Sequence, residues 1–226
     1  MPIPNKYLIA GLLAIGYSGW PVAALAETTR QQAATQPLPT TPTPSPAEQA
    51  LAKARQAQKL AVSSSRKAQT AAEQARTIFT QPSPDAGVTF SATDDRGYHY
   101  EGGWLFKPPN YRVYNGYGVL SWPNGNRYEG GFLNGHKHGY GIFTGPNGDR
   151  YEGEWRGGEI DGYGNYNYPD GERYEGEFHH DYRHGYGVMK YLNGEVYQGE
   201  WRDNDKKGYG VLFGPKGAVE SSGLWK

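Results

Sequence analysis

The chain has no cysteine in 226 residues. That excludes disulfide staples, thiolate zinc sites, a cysteine nucleophile and a lipidated N-terminal cysteine. It also lacks a phosphate-cradling G-x-x-x-x-G-K-[ST] loop, a G-x-S-x-G elbow and an H-E-x-x-H helix. The common signatures of nucleotide, ester and zinc-dependent peptide hydrolysis are therefore missing, and no enzyme activity and no cofactor are expected. There is no excess of either charge: Lys plus Arg number 23, and so do Asp plus Glu. The balance hides a split. From Val88 onward 15 basic residues face 19 acidic ones, whereas Glu27–Gly87 carries 7 against 4. Nucleic-acid binders usually show a basic stripe, so the acidic second half argues against a nucleic-acid partner.

Apolar length is concentrated at the start. Lys6 precedes the run YLIAGLLAIGYSGWPVAALA, Tyr7–Ala26. Pro21 ends any helix there about one turn before Ala24 and Ala26, which fit a small-x-small cleavage site. Residues 1–26 are expected to be a signal peptide cleaved after Ala26, which makes the protein exported, periplasmic or secreted. The alternative is an inner-membrane anchor over residues 7–26, since ~20 apolar residues span a bilayer.

Residues 27–45 are rich in Thr, Gln and Pro and predict a disordered linker. Ser45, Pro46 and Glu48 then give an N-cap, a first-turn proline and a capping box. The spacing predicts an Ala-rich helix over 46–80, ahead of Pro82 and Pro84, with a further linker and first strand over 81–95. Ala47, Ala54, Ala61, Ala68 and Ala75 recur every seven residues, with Ala50, Ala57, Ser64, Ala71 and Ile78 as the second heptad position. This seam leaves several uses open: a solvated spacer, a close helix pair in a homodimer or against a partner, or a basic helix on an anionic lipid surface. A helix of 34 residues measures ~51 Å, which matches the ~52 Å expected of the repeats below. The basic helix would then lie along the acidic array and cover one face.

From residue 96 the chain repeats itself. Tyr-x-Gly-x-aromatic starts at Tyr100, Tyr128, Tyr151, Tyr174 and Tyr197. Gly-Tyr-Gly starts at Gly116, Gly139, Gly162, Gly185 and Gly208, and x-Gly turns follow at Asn124, Asn147, Asp170, Asn193 and Lys216, both with a spacing of 23. Self-similarity at a fixed short period marks a repeat architecture. Residues two apart on a strand share a face, so Tyr151, Gly153 and Trp155 point one way and Arg150, Glu152 and Glu154 the other. Each repeat predicts a hairpin, and Asn-Gly or Asp-Gly pairs join hairpin to hairpin. The fold class expected is an all-β repeat: an elongated single-layer antiparallel β-meander of 23-residue hairpins over 96–226. Each repeat should advance roughly 9.5 Å. Glycines should make room for the aromatics of neighbouring strands.

The segment YEGEWRGGEIDGYGNYNYPDG (Tyr151–Gly171) resembles the MORN repeat (membrane occupation and recognition nexus), as do Tyr128–Gly148, Tyr174–Gly194 and Tyr197–Gly217. Tyr100–Gly125 fits with a five-residue insertion within Phe106–Asn115, and Ser221–Trp225 fits as a degenerate C-terminal cap. The resemblance, here to an exported bacterial type, implies a non-enzymatic scaffold or protein–protein interaction module of the cell envelope. It also implies a second use, binding a glycan or phospholipid headgroup through an aromatic groove.

For such a groove Tyr117, Tyr140, Tyr163, Tyr186 and Tyr209 would form a stacking ladder. Specificity is expected where repeats depart from their rule: Lys107, Tyr111 and Arg112 in the insertion, and His179, His180 and His184 in one turn. With Asp181 these histidines offer weak metal-ligand chemistry, although ordinary turn residues are the default and no metal is expected. Glu129, Glu152 and Glu175, alternating with Arg127, Arg150 and Arg173, are expected to be a solvated ladder of cross-strand ion pairs. The partner expected is an envelope protein, with a homodimer through the helix 46–80 as an additional use.

Overall fold

The computed structural model describes residues 43–77, 89–109 and 111–226. The expected leader, residues 27–42 of the first linker, residues 78–80 of the expected helix and residues 81–88 lie outside the described residues. Helix α1 spans Pro46–Thr77. Its start is fixed by the capping box: the Ser45 N–H donates to Glu48 Oε2 at 2.8 Å and the Glu48 N–H to Ser45 Oγ at 3.3 Å.

Twelve strands follow: β1 (Thr89–Thr93), β2 (His99–Lys107), β3 (Tyr111–Ser121), β4 (Arg127–Leu133), β5 (His136–Thr144), β6 (Arg150–Arg156), β7 (Glu159–Asn167), β8 (Arg173–His179), β9 (Tyr182–Lys190), β10 (Val196–Arg202), β11 (Asp205–Phe213) and β12 (Val219–Trp225). They form one antiparallel sheet in sequence order, a hairpin meander as the 23-residue period predicts. The first-repeat insertion lengthens one hairpin: β2 and β3 pair out to Lys107↔Tyr111.

Two glycines explain each Gly-Tyr-Gly. Gly162 has φ +118°, a left-handed conformation that L side chains rarely adopt. It lies where the β6–β7 register slips, Gly153 pairing Gly164 but Trp155 pairing Ile160. Gly164 serves a different need. A Cβ there would sit 2.4 Å from Cε2 of Tyr151, so the bare backbone is what lets the ring cross the neighbouring strand.

Tyr100, Tyr128, Tyr151, Tyr174 and Tyr197 are fully buried on this aromatic face. Each meets two rings edge-on, one from its own strand and one from the next repeat. Tyr151 lies 5.3 Å from both Trp155 and Phe178. At the far end Tyr197 meets Trp225 of the degenerate cap at 5.2 Å. Burying one such ring contributes about 1.5–3 kcal/mol, and each edge-to-face pair about 0.5–1.5 kcal/mol more. Backbone bonds tie successive repeats: the N–H groups of Gly158, Asp181 and Asn204 donate to the carbonyls of Lys137, Ile160 and Arg183 at 3.0–3.1 Å.

The opposite face is covered by α1, which touches every strand from β3 to β12. The alanine seam is buried from Ala50 to Ala75, together with Ser64 and Ser65. The solvated-spacer expectation therefore fails, and the surface that would mate a second helix in a homodimer is occupied by the chain's own sheet. Small seam residues let the helix approach closely enough for its polar side chains to reach the sheet. Periods match as well as lengths. Seven helical residues advance ~10.5 Å, against roughly 9.5 Å per repeat. Contacts recur accordingly, in reverse order: Gln58 meets Glu175 and Ser65 meets Glu152, while Lys53 and Lys67 donate to the hydroxyls of Tyr186 and Tyr140 at 3.1 and 3.0 Å.

Candidate interaction surfaces

The helix-covered face is polar at its centre. Glu129, Glu152 and Glu175 are 5%, 8% and 3% exposed, so they are not the solvated ladder expected of them. Their ion pairs are also not mainly cross-strand. Arg127, Arg150 and Arg173 reach the carboxylates two residues along the same strand, at 2.6, 2.5 and 2.7 Å, and among the described residues only Lys190 reaches across from a neighbouring strand, to Glu175 at 3.3 Å. α1 completes their solvation: Arg76 forks onto both oxygens of Glu129, and Gln69 donates to Glu152 at 3.0 Å. Burial alone would raise Glu129 and Glu152. The bonds from Arg76 and Arg127 hold Glu129 below its ordinary value instead, and those from Ser65 and Arg150 do the same for Glu152.

The tyrosine ladder lies on this face. Tyr140 packs beside Ala68 and Ala72 under the Lys67 ammonium, which stands 4.8 Å above its ring. Lys53 covers Tyr186 likewise, at 4.9 Å. Tyr163 is half-buried, while Tyr117 and Tyr209 are exposed. The ladder is thus no continuous open groove. What stays open is a cleft of about 570 Å³ beside the C-terminal half of α1, lined among others by Lys67, Gln74, Tyr117, Phe132, His138 and Tyr140.

The lengthened β2–β3 hairpin carries a second surface. Leu105, Phe106 and Tyr111 are 41%, 59% and 52% exposed. The Arg112 guanidinium stands between aromatic rings, 4.3 Å from Phe90 and 5.2 Å from Phe106. Lys107 pairs with Tyr111 at the end of the ladder. Three expected site residues therefore meet at one tip.

The histidine turn is a third. The rings of His179 and His180 have centroids 4.1 Å apart and are tilted by 58°, and His184 lies 5.8 Å from His179. Their acidic partners differ from the expected one: His179 Nδ1 faces Asp161 Oδ2 at 2.9 Å, and His180 Nδ1 faces Glu159 Oε2 at 2.5 Å. Asp181 instead accepts the Ile160 N–H at 2.8 Å.

Sequence reasoning also missed a recurring cation on the aromatic face. Lys137 stands 3.7 Å over Trp155, Arg183 4.6 Å over Trp201, and Lys206 5.0 Å over Trp225. The signal was there at 23-residue spacing, but Tyr114 and Ile160 fill the same slot in two repeats. Desolvation lowers the Lys137 ammonium to about 8.

Comparison with known proteins agrees with the period. No curated protein matches the chain. Among solved structures, the SAS-4 (dCPAP) TCP domain of Drosophila melanogaster, in complex with a proline-rich motif of Ana2 (dSTIL), is 14% identical. That likeness covers 62% of this chain and 92% of that one, with a TM-score of 0.29. The wild-type TCP10 domain of Danio rerio CPAP, in complex with a peptide of STIL, is 15% identical over 61% of this chain and 84% of that one, with a TM-score of 0.16. At such TM-scores neither likeness bears on function. The MORN-repeat family model matches residues 113–127, 128–150, 151–173, 174–196 and 197–219 in unbroken succession. Residues 113–219, a little under half of the chain, are thus similar to the MORN repeat throughout.

Proposed function

We propose that this chain is a non-enzymatic protein-interaction module of the cell envelope, exported by residues 1–26 and tethered through residues 27–45. The partner is an envelope protein, docked at the tip of the β2–β3 hairpin. The observation that carries this reading is the tip itself. It departs from the repeat rule, holds Leu105, Phe106 and Tyr111 exposed, and flanks them with Lys107 and Arg112. Aromatic and Arg anchors of this kind are what binding hot spots are made of. The face under α1 is already filled, which leaves the tip as an anchor that needs no rearrangement. Among the described residues no helix is long and apolar enough to cross a membrane.

A pulldown from envelope extract with the full chain should return one stoichiometric protein. The Phe106→Ala/Tyr111→Ala double variant, matched in circular dichroism, should lose it. Undiminished capture by the double variant would sink the tip as the anchor.

The cleft beside α1 supports a second reading, a glycan or phospholipid-headgroup site. Tyr117 and Tyr140 offer faces for stacking there, and Lys67 a positive charge. A glycan and lipid array in which Tyr117→Ala abolishes a signal would favour it, and a signal indifferent to Tyr117→Ala would dismiss it.

A further inference from the structure

We propose that Asp161, His179 and His180 form a binding site for a divalent transition-metal ion of the zinc class, bridging the third and fourth repeats. The three side chains each offer one donor atom, and these atoms lie within 4.8 Å of one another. Zinc bonds of ~2.0–2.1 Å in tetrahedral geometry put donors roughly 3.3 Å apart. Small side-chain adjustments therefore close the set around one ion, with a fourth position left for water or a partner's ligand.

The donors come from different hairpins. Gly162 pairs with Phe178, so Asp161 on β7 falls opposite His179 on β8. His180 follows in the turn, and that turn is pinned to β7 from both sides: the Asp181 N–H donates to the Ile160 carbonyl at 3.0 Å, and the Ile160 N–H to Asp181 Oδ1. The backbone is thus fixed before any ion arrives.

The surroundings have the arrangement of an outer shell. Glu159 Oε2 faces Nδ1 of His180 and orients its ring, as carboxylates beside metal-ligating histidines do. Arg156 Nε stands 3.5 Å from Asp161 Oδ1, and Asp161 is only 13% exposed in its side chain. His184 flanks the site: its Nδ1 is shielded from solvent without a hydrogen-bond partner, 3.6 Å from Asp203 Oδ1. No other repeat has this constellation. The positions 23 residues earlier are His138, Arg156 and Gly157, and those 23 later are His184, Arg202 and Asp203.

The test is calorimetric titration of the full chain, prepared without a histidine tag, with Zn²⁺ alone. One ion per chain is expected, with micromolar affinity, a higher melting temperature when bound, and loss of binding in mild acid as the imidazoles protonate. His179→Ala/His180→Ala and Asp161→Asn should each weaken it about ten-fold or more, while His136→Ala/His138→Ala leaves it unchanged. Circular dichroism checks that the exposed-histidine variants keep the fold. Binding that survives His179→Ala/His180→Ala at full strength, or no binding to the unsubstituted chain, overturns the proposal.

Discussion

Tyr151 crosses Gly164 so closely that Cε2 of the ring stands 2.4 Å from where a glycine Cβ would be. Its hydroxyl donates to the Glu154 carbonyl at 3.0 Å. The ring thus closes a loop within its own strand while covering the next one.

Gly164→Ala should therefore cost roughly 3 kcal/mol, because either the ring or the strand must move. Gly157→Ala is the contrasting control. Gly157, unlike Gly164, is left-handed, at φ +60°, but nothing lies within 4 Å of its missing Cβ, so only the backbone strain of about 1 kcal/mol applies. Urea unfolding of both variants checks the difference. Equal losses would mean that the Tyr151 contact is not limiting.

Ala61 is fully buried in the α1 seam. Ala61→Leu adds bulk to this buried seam and should weaken docking by about 1–3 kcal/mol. The expected signature is selective: proteases cut α1 faster while the array melts as before. Arg66→Ala, on the exposed side of the helix, should change neither within about 0.5 kcal/mol.

Acid should release the helix before it unfolds the sheet. Glu129 and Glu152 have carboxyl values held below the ordinary one by the bonds that survive their burial. Depressed carboxylates lend full stability above the unfolded value of about 4.3, and that stability is lost as pH falls through their folded values. Glu177 is shifted upward by burial, which has the opposite sign, but it caps the Tyr186 N–H rather than α1. Spin labels on cysteines introduced at Glu73 and Leu133 should separate below about pH 4 while strand circular dichroism persists.

Lys137 predicts a rise in stability on the alkaline side. Its folded value, about 8, lies below that of a free lysine. The unfolded chain thus binds more protons between the two values, and stability increases with pH across that window. Ring faces around the ammonium offset part of this, leaving a gain on the order of 1 kcal/mol from about pH 7 to about pH 9.5. Lys137→Met should remove most of the gain in urea titrations at the two pH values, the rest belonging to Lys206, whose ammonium is also lowered by burial. An undiminished gain would show that Lys137 is not its source.

Much of this was legible because strand period and repeat period are both short. Alternation alone put Tyr151 and Trp155 on one face and Glu152 on the other, and the cap at Ser45 set the helix start. What stayed hidden depends on a second body arriving. An Arg150–Glu152 pair has the same spacing whether solvent or α1 covers it, so the burial of Glu152 could not be read from the strand. The partners of His179 and His180 were missed for a different reason. Asp161 becomes their neighbour only through the β7–β8 pairing between repeats, 18 residues from His179 in sequence, and the nearer Asp181 is consumed by a backbone bond.

The near-equality of helical heptad and hairpin repeat makes α1 and the array two rulers with almost commensurate marks. A chain that gained one repeat would stay fully covered only by gaining seven helical residues with it, so growth of the covered array comes in coupled steps of 23 and 7. The marks are not quite equal. A mismatch of ~1 Å per repeat accumulates to about half a heptad after about five repeats, where seam residues would meet the wrong sheet positions. One straight helix can thus serve an array of about this length, and a much longer array would need a break in the helix or a second one.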